Sequence, residues 1–372
     1  MECGLTGGIL AYLWGQEDNS WVGENVNSFR LILHMGEDLD KHIQQASNIN
    51  ELYLYGKGMT FDCLEGCDSL SGVFLSTDST FTTLTTIFPS NLHNITFPSY
   101  IKKLGDCVFM GTSLYSVDLK NVEEIGEKTF YNCASLTKIV AHKPLTIGPM
   151  AFWGCSALET CLIEEIADIY EEAFNGCSAL PLSEDGLQWI SNWIVGPSDY
   201  SNHSLYINEN CKGITPELFL DAPITKLDIK SKDIKNFDGT AFAYDNIKEV
   251  AVYDNFLTLF YANALEKLTL YNFSKSHNFK PYTNLKYLEI CFPNTGNQFN
   301  PDGGLANPNL EHLVLNGRAF GNGTLKICNL FPFSVNNNDS NKYNKGDNVY
   351  VPKTLKKLTL KNCSVAIGGI GD

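Results

Sequence analysis

Residues 125–163 read IGEKTFYNCASLTKIVAHKPLTIGPMAFWGCSALETCLI, and the stretch says the same thing twice. Ile125-Gly126, Phe130, Cys133 and Leu136 return 22 residues later as Ile147-Gly148, Phe152, Cys155 and Leu158. The step extends in both directions, through Leu70, Leu92, Leu114 and Leu180 to Asn202 and Ile224. Around these points runs the pattern L-x-x-[IV]-x-[LIF], as in Leu70-Val73-Leu75, Leu114-Val117-Leu119 and Ile224-Leu227-Ile229. Apolar alternation over so few residues predicts one short strand per coil. A unit of this length cannot bury its apolar side alone, so neighbouring coils must stack and share a continuous core. The expected fold class is an α/β-type repeat solenoid with one short parallel β-strand per coil and short helical or irregular turns on the outer face.

The segments EKTFYNC, PMAFWGC and EEAFNGC lie between strands, and each is expected to make a helical turn whose Phe plugs the core opposite the strand. Cys67, Cys133, Cys155 and Cys177 all stand three residues before a repeat leucine and so share one structural position, which Gly111 and Pro89 fill in other coils. Identical side chains pointing the same way fit disulfide geometry poorly, so these are expected to be buried free thiols acting as small hydrophobes. Cys63 and Cys67 form a close pair without two further ligands at workable spacing, and no metal site is expected.

Units such as IGEKTFYNCASLTKI and IGPMAFWGCSALETCLI resemble the BspA-like leucine-rich repeats of bacterial and some protist surface proteins, whose repeats read roughly IPxxVTxIGxxAFxxCxSLxxI. The joint IG, AF, C and SL signal is specific over about residues 58–182 and weakens beyond. The resemblance implies a leucine-rich-repeat solenoid in a cell-surface or secreted bacterial setting, with a role in adhesion.

One solenoid is expected to occupy residues 1–372, since a repeat array grows by stacking rather than by closing new cores. Residues 58–182 form regular coils, and 183–201 an atypical segment in which Trp189 and Trp193 flank a short strand or hairpin. Residues 202–372 form divergent coils, recognisable by strands such as Leu265-Leu268-Leu270 and Leu310-Leu313-Leu315. Their spacing drifts to 23, 18, 20, 25 and then 45 residues, with a further strand suggested at Leu325-Cys328-Leu330. Polar loops are expected at 293–309 and, as a mobile projection, at 333–348. The closing LKKLTLKNCSVAIGGIGD resembles the opening of another coil, which suggests either a piece of a longer repeat protein or atypical terminal coils that cap it.

A formal charge of −15 over 372 residues argues against sequence-independent nucleic-acid binding, which depends on Lys and Arg, and against an anionic membrane surface. No run approaches the roughly 18 apolar residues of a spanning helix, and the first twenty residues lack a basic signal-peptide region. The seven histidines follow no ligand spacing, and no nucleophile elbow, P-loop or dinucleotide fingerprint stands in a strand-turn-helix setting. Glu164-Glu165 and Glu171-Glu172 fall on turns and are read as a solvated face. No catalytic residue and no cofactor is expected.

What remains is surface. In these strands the residues flanking the inward apolar position alternate outward. The candidate ligand face therefore carries Tyr53, Phe74, Asp118, Leu162, Tyr206, Asp228, Glu249, Tyr287, Glu289 and His312. It is more apolar than solubility requires, which suits a protein or glycan ligand. The expected function is a non-enzymatic recognition or adhesion module. A structural spacer array is the alternative from another class, and a hydrolase would require a pocket of convergent ionisable groups.

Overall fold

The computed structural model describes residues 69–75 and 82–292, with breaks at 198, 239–240, 261–262 and 274–278, then 307, 309–317 and 354–361. It also describes the strand backbones Ile9–Leu13, Phe29–His34, Ile49–Tyr55, Gln298–Phe299, Leu325–Ile327 and Cys363–Val365. The protein is a parallel-strand β-solenoid with almost no helix. Among the described residues the helical pieces are two 3-10 turns, Tyr244–Asn246 and Asp254–Leu259. The chain forms two compact units. One comprises Met1–Tyr200, Lys212–Leu218 and Lys235–Phe237; the other comprises Ser201–Cys211, Phe219–Ile234 and Asp238–Asp372.

In the first unit the expected strands pair in parallel and keep the repeat step. Gly72–Leu75 pairs with Asn94–Thr96, and Ser116–Asp118, Lys138–Ala141 and Thr160–Ile163 form a ladder in which Ser116, Lys138 and Thr160 stand in register. Val73, Val117 and Ile139 point inward and are buried, as the alternation requires. Ile9–Leu13, Phe29–His34 and Ile49–Tyr55 extend the same sheet toward the N-terminus, where the sequence shows no clear repeat.

The coils also carry a second parallel ladder, Thr83–Leu84, Lys103–Leu104, Glu124–Ile125, Leu145–Ile147 and Ile166–Ile169. Its strands are two to four residues long, too short for alternation to reveal. The recurring Ile-Gly pair marks it, because the glycines let successive backbones approach. A Cβ on Gly148 would lie 2.7 Å from the carbonyl carbon of Gly126.

The segments EKTFYNC, PMAFWGC and EEAFNGC form turns rather than helix. Their amides bond to the next coil: Phe130 N–H donates to Ala151 O and Phe152 N–H to Ala173 O, both at 2.8 Å. Left-handed residues set four apart bracket each turn, Lys128 with Asn132, Met150 with Gly154, and Glu172 with Gly176. A left-handed residue interrupts helical geometry, so the backbone turns outward to its neighbour instead of closing on itself. The Phe plugs stack as a column from Phe88 through Phe109, Phe130 and Phe152 to Phe174, with centroids 5.0–5.2 Å apart.

Beside that column run the thiols. Cys133, Cys155 and Cys177 are free and buried, and each donates to the carbonyl of a Phe in the preceding coil: Phe109, Phe130 and Phe152, at 2.9, 3.0 and 3.1 Å. In the coil where Gly111 replaces the cysteine, the Thr112 hydroxyl donates to Phe109 O at 2.9 Å. Cys63 and Cys67 lie outside the described residues.

The Trp segment forms a hairpin. Gln188–Ile190 runs antiparallel to Trp193–Gly196, which then pairs in parallel with Gly213–Ile214. Trp193 is buried, and its ring rests on Gly213, where a Cβ would stand 2.4 Å from it. Gln188 donates its side-chain amide to Cys177 O and Leu180 O and closes the last regular turn.

The second unit holds a seven-stranded parallel sheet: Ser204–Ile207, Lys226–Ile229, Glu249–Tyr253, Lys267–Tyr271, Tyr287–Cys291, His312–Asn316 and Lys357–Lys361. The drifting spacing leaves the register unbroken, so the variable lengths are absorbed outside the sheet. Lys226 pairs Glu249, Glu249 pairs Lys267, and even the 45-residue step places Lys357 directly against His312. Leu325–Ile327 is a strand, but it joins Gln298–Phe299 and Cys363–Val365 in a separate sheet. Buried Asn307 donates its amide to Phe279 O and Tyr282 O, a task like that of the thiols in the first unit. Apart from Asn307, Asn309 and the backbone of Gln298–Phe299, the expected loops at 293–309 and 333–348 lie outside the described residues.

Candidate functional site

The outward face of the second unit's sheet is built by parallel register, which brings every second residue of neighbouring strands into rows. One row runs Ser204, Lys226, Glu249, Lys267, Tyr287, His312 and Lys357. The next runs Tyr206, Asp228, Ala251, Thr269, Glu289, Val314 and Thr359. The inward residues between them, among them Leu227, Val250, Leu268 and Leu288, are buried and fix the orientation of the rest. A groove of about 770 Å³ lies along this face, walled by Tyr206, Tyr271 and Tyr287 and floored by Ala251 and Thr269.

Charge in the groove is cross-linked from strand to strand. Glu249 receives Lys226 at 3.1 Å on one oxygen and Lys267 at 3.5 Å on the other. Burial pushes its carboxyl up, but the Lys226 hydrogen bond and the charges of both lysines outweigh that and hold it below the usual carboxylate range. Glu289 accepts from Tyr287 OH at 2.8 Å, Lys361 Nζ at 3.1 Å and Asn316 Nδ2 at 3.4 Å. Burial raises its carboxyl too, and those three donors again prevail and lower it. Asp228 accepts from Tyr271 OH at 2.9 Å and pairs with Lys230 at 3.2 Å, while the Lys230 ammonium sits 4.0 Å from the Tyr271 ring centroid and also donates to its hydroxyl. Burial pushes the phenols of Tyr271 and Tyr287 up, and the neighbouring carboxylates push them further, so both remain protonated donors. Cys291 lies at the groove's edge with its thiol raised by burial to about 12.

Of the residues expected on the ligand face, Tyr206, Asp228, Glu249, Tyr287 and Glu289 line this one groove. His312 adjoins it, edge-on to Tyr287 at 5.0 Å and hydrogen bonded to Thr359 Oγ1 at 3.0 Å. Burial and the charges of Lys357 and Lys361 lower its imidazole, with Glu289 opposing, so it is neutral at pH 7. Phe74, Asp118 and Leu162 belong to the first unit. There Leu162 is 54% exposed and Phe74 half-buried. Asp118 is held by Lys120, and His142 stands 3.6 Å from it and 3.1 Å from Glu164. Tyr53 pairs with Phe74 along the backbone, and its side chain lies outside the described residues.

Sequence reasoning missed Lys230, Tyr271 and Asn316. They form a third outward row, one alternation beyond the last apolar residue of the motif. The signal was present in strands such as KLTLY and HLVLN, whose fifth residue faces out again. Among the described residues no group of three or more His, Cys, Asp or Glu is placed to hold a metal ion, and no helix is long and apolar enough to cross a membrane.

Stacked parallel strands on a recurring leucine frame, with a groove on the open side of the sheet, define a leucine-rich-repeat protein. Residues 60–181 and 198–298, more than half of the chain, match the BspA type leucine rich repeat region in six copies. The chain belongs to that family. Among solved structures it is similar to a leucine-rich repeat protein of T. pallidum, at 22% identity over 48% of this chain and 87% of that one, with a TM-score of 0.34. It is also similar to one from Bacteroides ovatus, at 15% identity over 94% and 82%, with a TM-score of 0.42. A third is a leucine rich cell surface protein from Faecalibacterium prausnitzii, at 15% identity over 96% and 85%, with a TM-score of 0.26. No curated protein sequence matches the chain.

Proposed function

We propose that the chain is a non-enzymatic recognition module of a cell-surface or secreted protein, and that it holds a protein or glycan ligand on the groove face of its second unit. The observation that carries this is the groove itself: three tyrosines and a lattice of paired charges on a sheet whose register fixes which residues face it. Such a surface is preorganised, so little conformational entropy is lost on binding. The resemblance of the repeats to surface proteins supports the location. Glu249 and Glu289 both sit below the usual carboxylate range and are ionised at neutral pH, whereas a general acid needs a raised value. This favours recognition over hydrolysis.

The test is binding of the purified chain to immobilised matrix proteins, mucins and a glycan array, beside a Tyr206→Ala/Tyr287→Ala variant of unchanged melting temperature. A ligand bound by the wild type and lost in the variant is the expected result. A blank for the wild type on every surface would overturn the reading in favour of a spacer array.

A further inference from the structure

The groove's hydrogen-bond balance narrows the ligand. Both oxygens of Glu249 and of Glu289 are already engaged by donors from neighbouring strands. The phenol protons of Tyr271 and Tyr287 are committed to Asp228 and Glu289. The lysines differ. An ammonium carries three donors. Lys226 and Lys267 each direct one at Glu249, and their side chains remain 54% and 49% exposed, against 35% for the carboxylate between them. Lys230, by contrast, is spent within the lattice, on Asp228 and on the hydroxyl and ring of Tyr271. Lys226 and Lys267 therefore keep unspent donors on the exposed face, while among the carboxylates only Asp228, whose two partners both meet Oδ1, keeps an unspent oxygen.

From this we infer that the groove takes an acidic polysaccharide, a chain of sugars bearing sulfate or carboxylate groups, with Lys226 and Lys267 meeting the anionic groups. The inference rests on the recognition reading above and assigns its ligand class. Lys226 and Lys267 stand two strands apart, about 10 Å from the strand spacing, and their ammonium groups converge on Glu249 between them, so positive charge is gathered at one point along the groove. On the strands flanking this pair, Tyr206 and the Tyr287 ring offer flat apolar surface for the C–H faces of sugar rings, and Lys267 already lies 5.3 Å from the Tyr287 centroid. A polysaccharide fits better than an acidic peptide for a physical reason. The sheet's backbone amides and carbonyls are consumed by its ladder, so a peptide laid on this face could not pair its own backbone with the sheet's. A sugar chain has no such requirement. The chain's net charge of −15 acts at long range, and salt screens it beyond roughly 8 Å, whereas the lysines act in contact.

The experiment measures binding of the whole chain to heparin, N- and O-desulfated heparin, hyaluronan and neutral dextran, at low and high salt. Three variants accompany it: Lys226→Gln/Lys267→Gln, Glu249→Gln and Tyr206→Ala/Tyr287→Ala. The expected result is salt-sensitive binding to the acidic chains and none to dextran, weakened by about tenfold or more in the lysine variant. Glu249→Gln, which releases both lysines from their shared carboxylate, should tighten it. Loss on desulfation points to sulfate, and retention with hyaluronan binding points to carboxylate. Equal affinity for dextran, or a lysine variant that binds like wild type, overturns the inference. So does binding to a protein alone. If the tyrosine variant loses that binding in either case, the recognition reading survives; if no surface of either panel is bound, both fall.

Discussion

Phe130 and Phe152 lie in successive coils with ring centroids 5.2 Å apart and planes 3° from parallel, and both are fully buried. The pair is one step of a column that extends to Phe174, so each ring is packed on both faces. Phe152→Ala opens a cavity that neither neighbour can close without breaking the inter-coil bonds of its own turn, and should cost about 3–5 kcal/mol in urea denaturation. Val140→Thr, on the outward side of Lys138–Ala141, should change stability by no more than about 0.5 kcal/mol. Equal, large penalties at both sites would mean that the strand faces the other way.

The thiols Cys133, Cys155 and Cys177 should resist alkylation in the native protein. All three are buried, which keeps reagent away; the Cys133 hydrogen bond and then burial raise the Cys155 thiol, burial raises that of Cys177, and the hydrogen bond with Cys155 lowers that of Cys133. Cys107 is half-exposed and, despite a thiol also raised by burial, should label first among the described cysteines of the first unit. Mass mapping after native and denaturing treatment with iodoacetamide reads the order directly. Early labelling of Cys155 would show that the coils open locally.

The main ladder was legible because a leucine every 22 residues is the direct trace of one coil packing on the next, and the outward residues follow from alternation alone. Tyr206, Glu249, Tyr287 and Glu289 were placed that way. The groove was not legible as a groove, since it depends on Lys230, Tyr271 and Asn316, which stand beyond the motif, and on pairings between residues such as Tyr271 and Asp228 that are 43 positions apart. The second ladder stayed hidden for a different reason. A strand as short as Lys103–Leu104 leaves one inward residue, and one residue carries no period. The turn segments misled because AF-rich sequence favours helix, while the left-handed residues at 128 and 132 answer to backbone bonds from the next coil.

Gly148→Ala tests the second ladder. The added methyl would meet the carbonyl carbon of Gly126 at 2.7 Å and Ile125 O at 2.8 Å, both backbone atoms that no rotamer change can move. The coils must separate locally, weakening the Gly148 N–H bond to Ile125 O. Strain of this kind costs about 1–3 kcal/mol and should appear as a lower denaturation midpoint. Gly111→Asn is the control. It has a left-handed φ of 69°, which Asn tolerates, and open space around the Cβ, so it should be nearly silent.

Glu289→Gln tests the charge lattice of the groove through pH. The Glu289 side chain is only 14% exposed, and its carboxyl is held below its ordinary 4.5 by Tyr287, Lys361 and Asn316 against the opposing effect of burial. A carboxyl depressed in the folded state stabilises fully above its unfolded value, and that contribution is lost as pH falls through the lower folded value. Glutamine keeps the shape but offers Lys361 no charge, so the variant should be less stable than wild type at pH 7 by about 1–2 kcal/mol. The gap should stay constant down to about pH 4.5 and then close as acid protonates the wild-type carboxyl. Urea denaturation of both proteins across this range measures it. A gap that persists unchanged well below the folded value would show that Glu289 contributes through packing and not through its charge.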